Sequence, residues 1–218
     1  MPSPEQGSNA DGPFIKRGPV LVFIGLAVLA ALWSLRSGTP VAAKPTAGEL
    51  VIAFGDSLVE GVGASAGHDV VSLLSARVGV PIVNAGRSGD TTGSALARLD
   101  SAVLSRSPRV VIVVLGGNDV LRRIRHEETF ANLDAITGRI RSRGAAVILV
   151  GLSVGVFTDA YGRGYEDLAR RTSSGLVPDV LAGILGHPDL MADQIHPNDL
   201  GYRMMADRIE PVLRDLLK

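Results

Sequence analysis

The chain has 218 residues, enough for one well-buried domain and short for two at roughly 100 to 200 residues per domain. Basic and acidic side chains balance at 22 each, so no global field favours nucleic acid or an anionic surface, and a small neutral or locally charged substrate fits better. Cysteine is absent, which excludes disulfides, thiol nucleophiles and thiolate metal sites and shifts attention to the four histidines.

Residues 1–17 are rich in Pro, Gly, Ser, Asn and Asp and offer little to bury, so they read as a disordered leader ending in Lys16-Arg17. Within residues 18–36, the uncharged run 20–33 (VLVFIGLAVLAALW) falls between a buried-helix length and the ~20 residues that span a bilayer. It reads as a short membrane anchor or as the h-region of a signal peptide. The basic pair before it favours an inside amino terminus, and Val41-Ala42-Ala43 offers a small-residue cleavage site. Both readings predict export, either anchored through this segment or released after cleavage near Ala43. A core helix is the weaker alternative, because polar stretches isolate the run on both sides.

Residues 37–48, rich in Gly, Pro, Thr and Ala, read as a linker, and the folded domain is expected over 49–218. Strand-like apolar runs at 50–54, 81–84, 110–115 and 146–152 alternate with helix-like stretches at 70–78, 94–104 and 130–143. Further helices are expected near 165–171 and over 200–217. Continuous apolar strands separated by helices predict an α/β fold: three layers, α/β/α, around an open, mainly parallel sheet.

The polar residues cluster in the turns. Gly55-Asp56-Ser57 follows the first strand, Asn84 to Thr91 follows the second, and Gly116-Gly117-Asn118-Asp119 follows the third. Asp193-Gln194-Ile195-His196-Pro197 precedes the last helix. In a right-handed parallel sheet these loops share one edge, so residues far apart in sequence converge. Ser57 is then a candidate nucleophile, His196 its general base, and Asp193, three residues earlier, the carboxylate that orients the imidazole. Taken alone, Asp193 and His196 read better as ordinary helix-capping residues, and Ser57 is what favours the catalytic reading. Ser57 N–H, Gly89 N–H and the Asn118 side-chain amide are candidate oxyanion donors, and Asp56 is expected to act structurally by accepting backbone hydrogen bonds at the nucleophile turn.

These four blocks resemble those of the SGNH hydrolases, also called the GDSL esterases, and the likeness extends over about residues 50–207. Leu115 to Leu121 (LGGNDVL), Glu128-Thr129, Asn132-Leu133 and Tyr161 to Tyr165 resemble the bacterial thioesterase I and arylesterase branch. The resemblance implies a flavodoxin-like SGNH fold with Ser57 as nucleophile, Gly89 and Asn118 as oxyanion donors, and Asp193 with His196 as acid and base. It implies cleavage of a short-chain carboxylic ester or thioester, of arylesterase, acyl-CoA thioesterase or lysophospholipase type, with no cofactor or metal. An exported carbohydrate O-acetyl esterase and a non-catalytic binding module on the same fold are the alternatives. Two details depart from the pattern. Gln194 stands where members often have Gly, and the first oxyanion block, Gly86-Arg87-Ser88-Gly89, offers Gly86 as a second choice.

Other signals are weaker. Gly63-Ala64-Ser65-Ala66-Gly67 matches G-x-S-x-G, but no apolar strand precedes it, which favours Ser57 over Ser65. No Gly-Lys-Ser/Thr follows Gly86, so a phosphate loop is not supported. His68, His126 and His187 lack paired ligand spacing and read as surface histidines. Arg122, Arg123, Arg125 and His126 read as a solvated loop or helix start, with the site entrance as the alternative.

Overall fold

The structure, a computed structural model, describes residues 42–152 and 158–218. The leader, the apolar segment 18–36 and residues 37–41 of the expected linker lie outside the described residues. Among those described, no helix is long and apolar enough to cross a membrane.

Five strands form one parallel sheet in the order β2-β1-β3-β4-β5: β1 (Leu50–Gly55), β2 (Ile82–Gly86), β3 (Pro108–Val114), β4 (Ala146–Val150) and β5 (Gly175–Val177). The inner strands β3 (PRVVIVV) and β4 (AVILV) have no outward polar face because both sides are covered. Alternate residues feed two apolar layers. Val51, Ala53, Ile112, Val114 and Ile148 pack with Leu74 of α2 (Val70–Val78) and with Tyr202, Met205, Ile209 and Leu213 of α7 (Asp199–Leu217). Ile52, Phe54, Val111, Val113 and Leu149 face Leu99 of α3 (Thr92–Ala102), Leu133 and Ile136 of α5 (His126–Arg141), and Leu168 of α6 (Thr158–Thr172). Fully burying each such aliphatic side chain contributes roughly 1.5–3 kcal/mol. Two short helices, α1 (Ser57–Glu60) and α4 (Gly117–Leu121), begin where β1 and β3 end.

The expected α/β class and three-layer parallel sheet are present, with boundary corrections. Helix α3 starts earlier than expected, at Thr92, because the Thr91 side chain and Ser94 form a reciprocal capping box. Helix α5 starts at His126 and α6 at Thr158, ahead of the expected spans, because their polar first turns carry no apolar period. Strand β4 ends at Val150, short of the expected 152. Strand β5, three residues long, and the helices α1 and α4 are too short to give a periodic signal and were not anticipated.

The strand order reverses between β1 and β3, and in open α/β sheets the crevice outside the carboxyl ends at such a switch point receives the ligand. Gly55 of β1 lies level with Gly86 of β2 and with Val114 of β3. Whatever follows each of these residues is therefore delivered to the same crevice.

Candidate active site

Ser57 is the first residue of α1, directly beyond β1. The preceding Asp56 caps that helix: its Oδ1 accepts the Leu58 N–H at 3.0 Å. A β-strand running straight into a helix turns sharply, and the cap fixes the turn with the half-buried Ser57 hydroxyl at the crevice. Asp56 is 2% exposed. Burial pushes its carboxyl up to about 6, with the Leu58 N–H and the neighbouring His196 opposing that rise.

His196 comes from the turn before α7, 139 positions away, and its Nε2 lies 3.0 Å from Ser57 Oγ. Its Nδ1 lies 2.7 Å from Asp193 Oδ2. The other Asp193 oxygen, Oδ1, accepts the backbone N–H groups of Ile195 and His196, both at 2.8 Å. Hydrogen bonds from the His196 ring and from these two amides hold the Asp193 carboxyl down to about 2, so it is an acceptor only at neutral pH. Nδ1 must then carry the proton, which leaves Nε2 bare to accept from the Ser57 hydroxyl. The contact forms with Gln194 between the two residues, its side chain exposed, so the departure from Gly leaves the Asp193–His196 geometry intact.

Asn118 lies in the first turn of α4, across the switch point from Ser57. Its Nδ2 donates to Asp56 Oδ2 at 3.2 Å and to the Asp90 carbonyl at 3.0 Å. The turn leading to it depends on Gly116, whose φ of 120° suits glycine alone and where a Cβ would collide with the Tyr165 hydroxyl. That buried hydroxyl donates to the Leu115 carbonyl at 2.5 Å, and burial pushes its pKa up. Asp119, fully buried, accepts the Thr92 N–H at 2.9 Å and the Thr92 hydroxyl at 2.5 Å, which ties α4 to the start of α3.

Gly89 sits in the loop between β2 and α3 with a left-handed φ of 79°, and its carbonyl accepts Arg122 Nη2 at 2.9 Å. The alternative, Gly86, has its N–H engaged by Asn84 Oδ1 at 2.9 Å. A shallow cleft opens at Asp56, Ser57, Gly117, Asn118 and His196, and its aliphatic walls are Leu58, Leu121, Leu152, Leu181, Leu185 and Ile195. Leu121 and Ile195 are 53% and 45% exposed, forming an apolar rim.

The remaining sequence candidates separate from the site. Ser65 donates its hydroxyl to Asp199 Oδ2 at 2.6 Å and its N–H to Asp199 Oδ1 at 2.7 Å, so it latches a surface loop to the start of α7. His68 and His187 are exposed, as expected. His126 is not a surface residue: it is half-buried, with its ring centroid 4.5 Å from that of Phe130 and 5.2 Å from that of Tyr161. The reason is tertiary, since α6 crosses the start of α5 and its Ala160 carbonyl contacts His126 Nε2 at 3.2 Å. Of the arginine cluster, Arg122 holds the Gly89 loop and Arg125 pairs with Glu128 at 3.6 Å.

Three residues at the site were not anticipated from sequence: Asp90, Arg98 and Tyr165. Asp90 lies just before the N-cap Thr91 and Arg98 inside α3, and no helical spacing signals their pairing. For Tyr165 no sequence signal beyond the branch resemblance was available.

A family model described as GDSL-like Lipase/Acylhydrolase family matches residues 53–204. Esterase TesA of Pseudomonas aeruginosa is 31% identical over 185 residues, covering 80% of this chain and 92% of that protein. Thioesterase 1/protease 1/lysophospholipase L1 of Escherichia coli K12 is 30% identical over 182 residues, covering 80% and 88%. The crystal structure of TesA superposes with a TM-score of 0.73 at 31% identity, over 77% of this chain and 99% of that one.

Proposed function

The chain belongs to the GDSL-like lipase/acylhydrolase family and is an ester-bond hydrolase; from that premise we propose that it cleaves carboxylic esters or thioesters of apolar acids through an acyl-enzyme on Ser57. The observation that carries the reading is the continuous chain of contacts Ser57 Oγ, His196 Nε2 and Nδ1, Asp193 Oδ2, at 3.0 and 2.7 Å.

His196 takes the hydroxyl proton as Ser57 Oγ attacks the carbonyl carbon, and Asp193 stabilises the imidazolium. The tetrahedral oxyanion is received by Ser57 N–H, Gly89 N–H and Asn118 Nδ2. Both Asn118 amide hydrogens have acceptors in the free enzyme. The longer contact, to Asp56 at 3.2 Å, is the one exchanged for the oxyanion, while the Asp90 carbonyl keeps the amide aimed. Collapse returns the proton to the leaving alcohol or thiol, and a water deprotonated by His196 then releases the acid.

The aliphatic walls of the cleft support an apolar acyl group over a sugar ring, whose hydroxyls would need polar partners. Export belongs to the same proposal, supported by the apolar run 20–33 after Lys16-Arg17. Retention as an anchor and cleavage near Ala43 are its two forms, separated by the mass of the mature protein.

A fluorophosphonate probe is expected to label the enzyme and to lose labelling in Ser57→Ala. Asn118→Ala is expected to lower kcat on p-nitrophenyl esters by about 10²- to 10³-fold. Full turnover by Ser57→Ala would overturn the mechanism.

A further inference from the structure

Arg98 projects from α3, away from the reacting atoms, yet its guanidinium reaches beneath both catalytic loops. Its Nη2 donates to the Gly55 carbonyl and to the Ala85 carbonyl, each at 3.0 Å. These are the penultimate carbonyl of β2 and the last of β1, immediately before Asp56-Ser57. Its Nε donates to Asp90 Oδ2 at 2.5 Å, and the guanidinium lies 4.6 Å from the Phe54 ring centroid. The Arg98 and Asp90 side chains are only 16% and 3% exposed.

A buried cation-and-carboxylate pair is costly to desolvate and is weak evidence for stability alone. Here the pair also ties together the loops around the site. Asp90 Oδ1 accepts Arg87 Nε at 2.9 Å, Arg87 Nη2 at 2.7 Å and the Ser94 hydroxyl at 2.9 Å. The Asp90 backbone carbonyl is the acceptor that orients Asn118 Nδ2. One guanidinium thus connects the strand end that carries the nucleophile with the loop that carries Gly89 and aims Asn118.

We propose that Arg98 is a positioning residue for the acyl-transfer site, setting the separation between Ser57 and the oxyanion donors through the Gly55 carbonyl and Asp90. This inference rests on the mechanism proposed above. Three donors in a fixed planar fork satisfy Gly55, Ala85 and Asp90 together, which a lysine ammonium on a flexible stem does not reproduce. The oxyanion contacts are made only in the transition state, so a shift in the hole acts on kcat and leaves ground-state binding in the Leu-lined cleft unchanged.

The test is steady-state kinetics of Arg98→Ala and Arg98→Lys on p-nitrophenyl esters, with and without millimolar methylguanidinium, alongside circular dichroism, melting and Ser57→Ala. Arg98→Ala is expected to lose about 10- to 100-fold in kcat, the scale of a small misplacement of catalytic groups, with KM within about twofold. Methylguanidinium restores part of that loss in the Ala variant and none in the wild type, while Arg98→Lys stays at least tenfold down. If Arg98→Ala does not fold, the kcat and KM of Arg98→Lys decide. A wild-type kcat in a folded variant, a loss carried by KM, or a loss in Arg98→Ala that methylguanidinium leaves unchanged overturns the proposal. Failure of the mechanism itself appears separately, as undiminished turnover by Ser57→Ala.

Discussion

The two carboxylates at the site titrate in opposite directions, and the signs give distinct pH windows. Asp56 is raised from 3.8 to about 6 by burial, so between those values the folded state holds a proton that the unfolded state has released. The Asp56 contribution to stability is therefore greatest below about pH 4 and falls by roughly 3 kcal/mol in total as pH rises to about 6. Asp193 is lowered to about 2, so its contribution is present above about pH 4 and is lost on acidification toward pH 2. In Asp56→Asn, urea midpoints should lose their decline between pH 4 and 6, while the wild type keeps it; equal slopes would refute the assignment. The same change sets an amide against Asn118 Nδ2 where a carboxylate accepted it, so turnover falls even where stability holds.

At the scale of elements, the position of His196, the proposed general base, depends on how α7 begins. Asn198 caps that helix through Oδ1, accepting the N–H groups of Leu200 at 3.0 Å and Gly201 at 3.2 Å. Its Nδ2 donates to the Asp189 carbonyl at 2.9 Å, and a bridge between Met191 and Pro197 closes the intervening turn around Asp193 and His196. Asn198→Ala should cost about 1 to 2 kcal/mol, the value of a cap. It should also lower kcat, since the turn that presents His196 loses its anchor; calorimetry and kinetics on one preparation test both, and loss of stability alone would show the turn to be self-supporting. The loops of the proposed site were legible in sequence because each is a short polar break after an apolar strand, a contrast strongest at Gly55-Asp56-Ser57 and Gly116-Gly117-Asn118. The buried support was not legible. Arg98 reads as an ordinary helix-surface arginine until the ends of β1 and β2 are known to lie beneath it, and β5 is too short at three residues to carry a period. Likewise, nothing local to His126 announces that α6 packs across it.

On the scale of the whole molecule, the sheet's lower edge is closed by residues that read as linker. Ala43 N–H donates to the Ser173 carbonyl and Thr46 N–H to the Gly144 carbonyl, both at 2.8 Å, and Ala42 packs against the apolar layer beneath α7. At about 1 kcal/mol net per hydrogen bond, a chain beginning at Glu49 should melt roughly 4 to 8 °C below one beginning at Ala42. Matching thermograms would show that the stretch contributes nothing. The other end of the molecule has a temporal consequence. The 139 positions between Ser57 and His196 make their contact one of long loop closure, reached only after the sheet has formed and the carboxyl-terminal helix has docked. On the proposed mechanism, a nascent chain still on the ribosome thus carries its serine early but without a base, with the reactivity of an ordinary alcohol. On that mechanism, hydrolytic competence waits for the last helix.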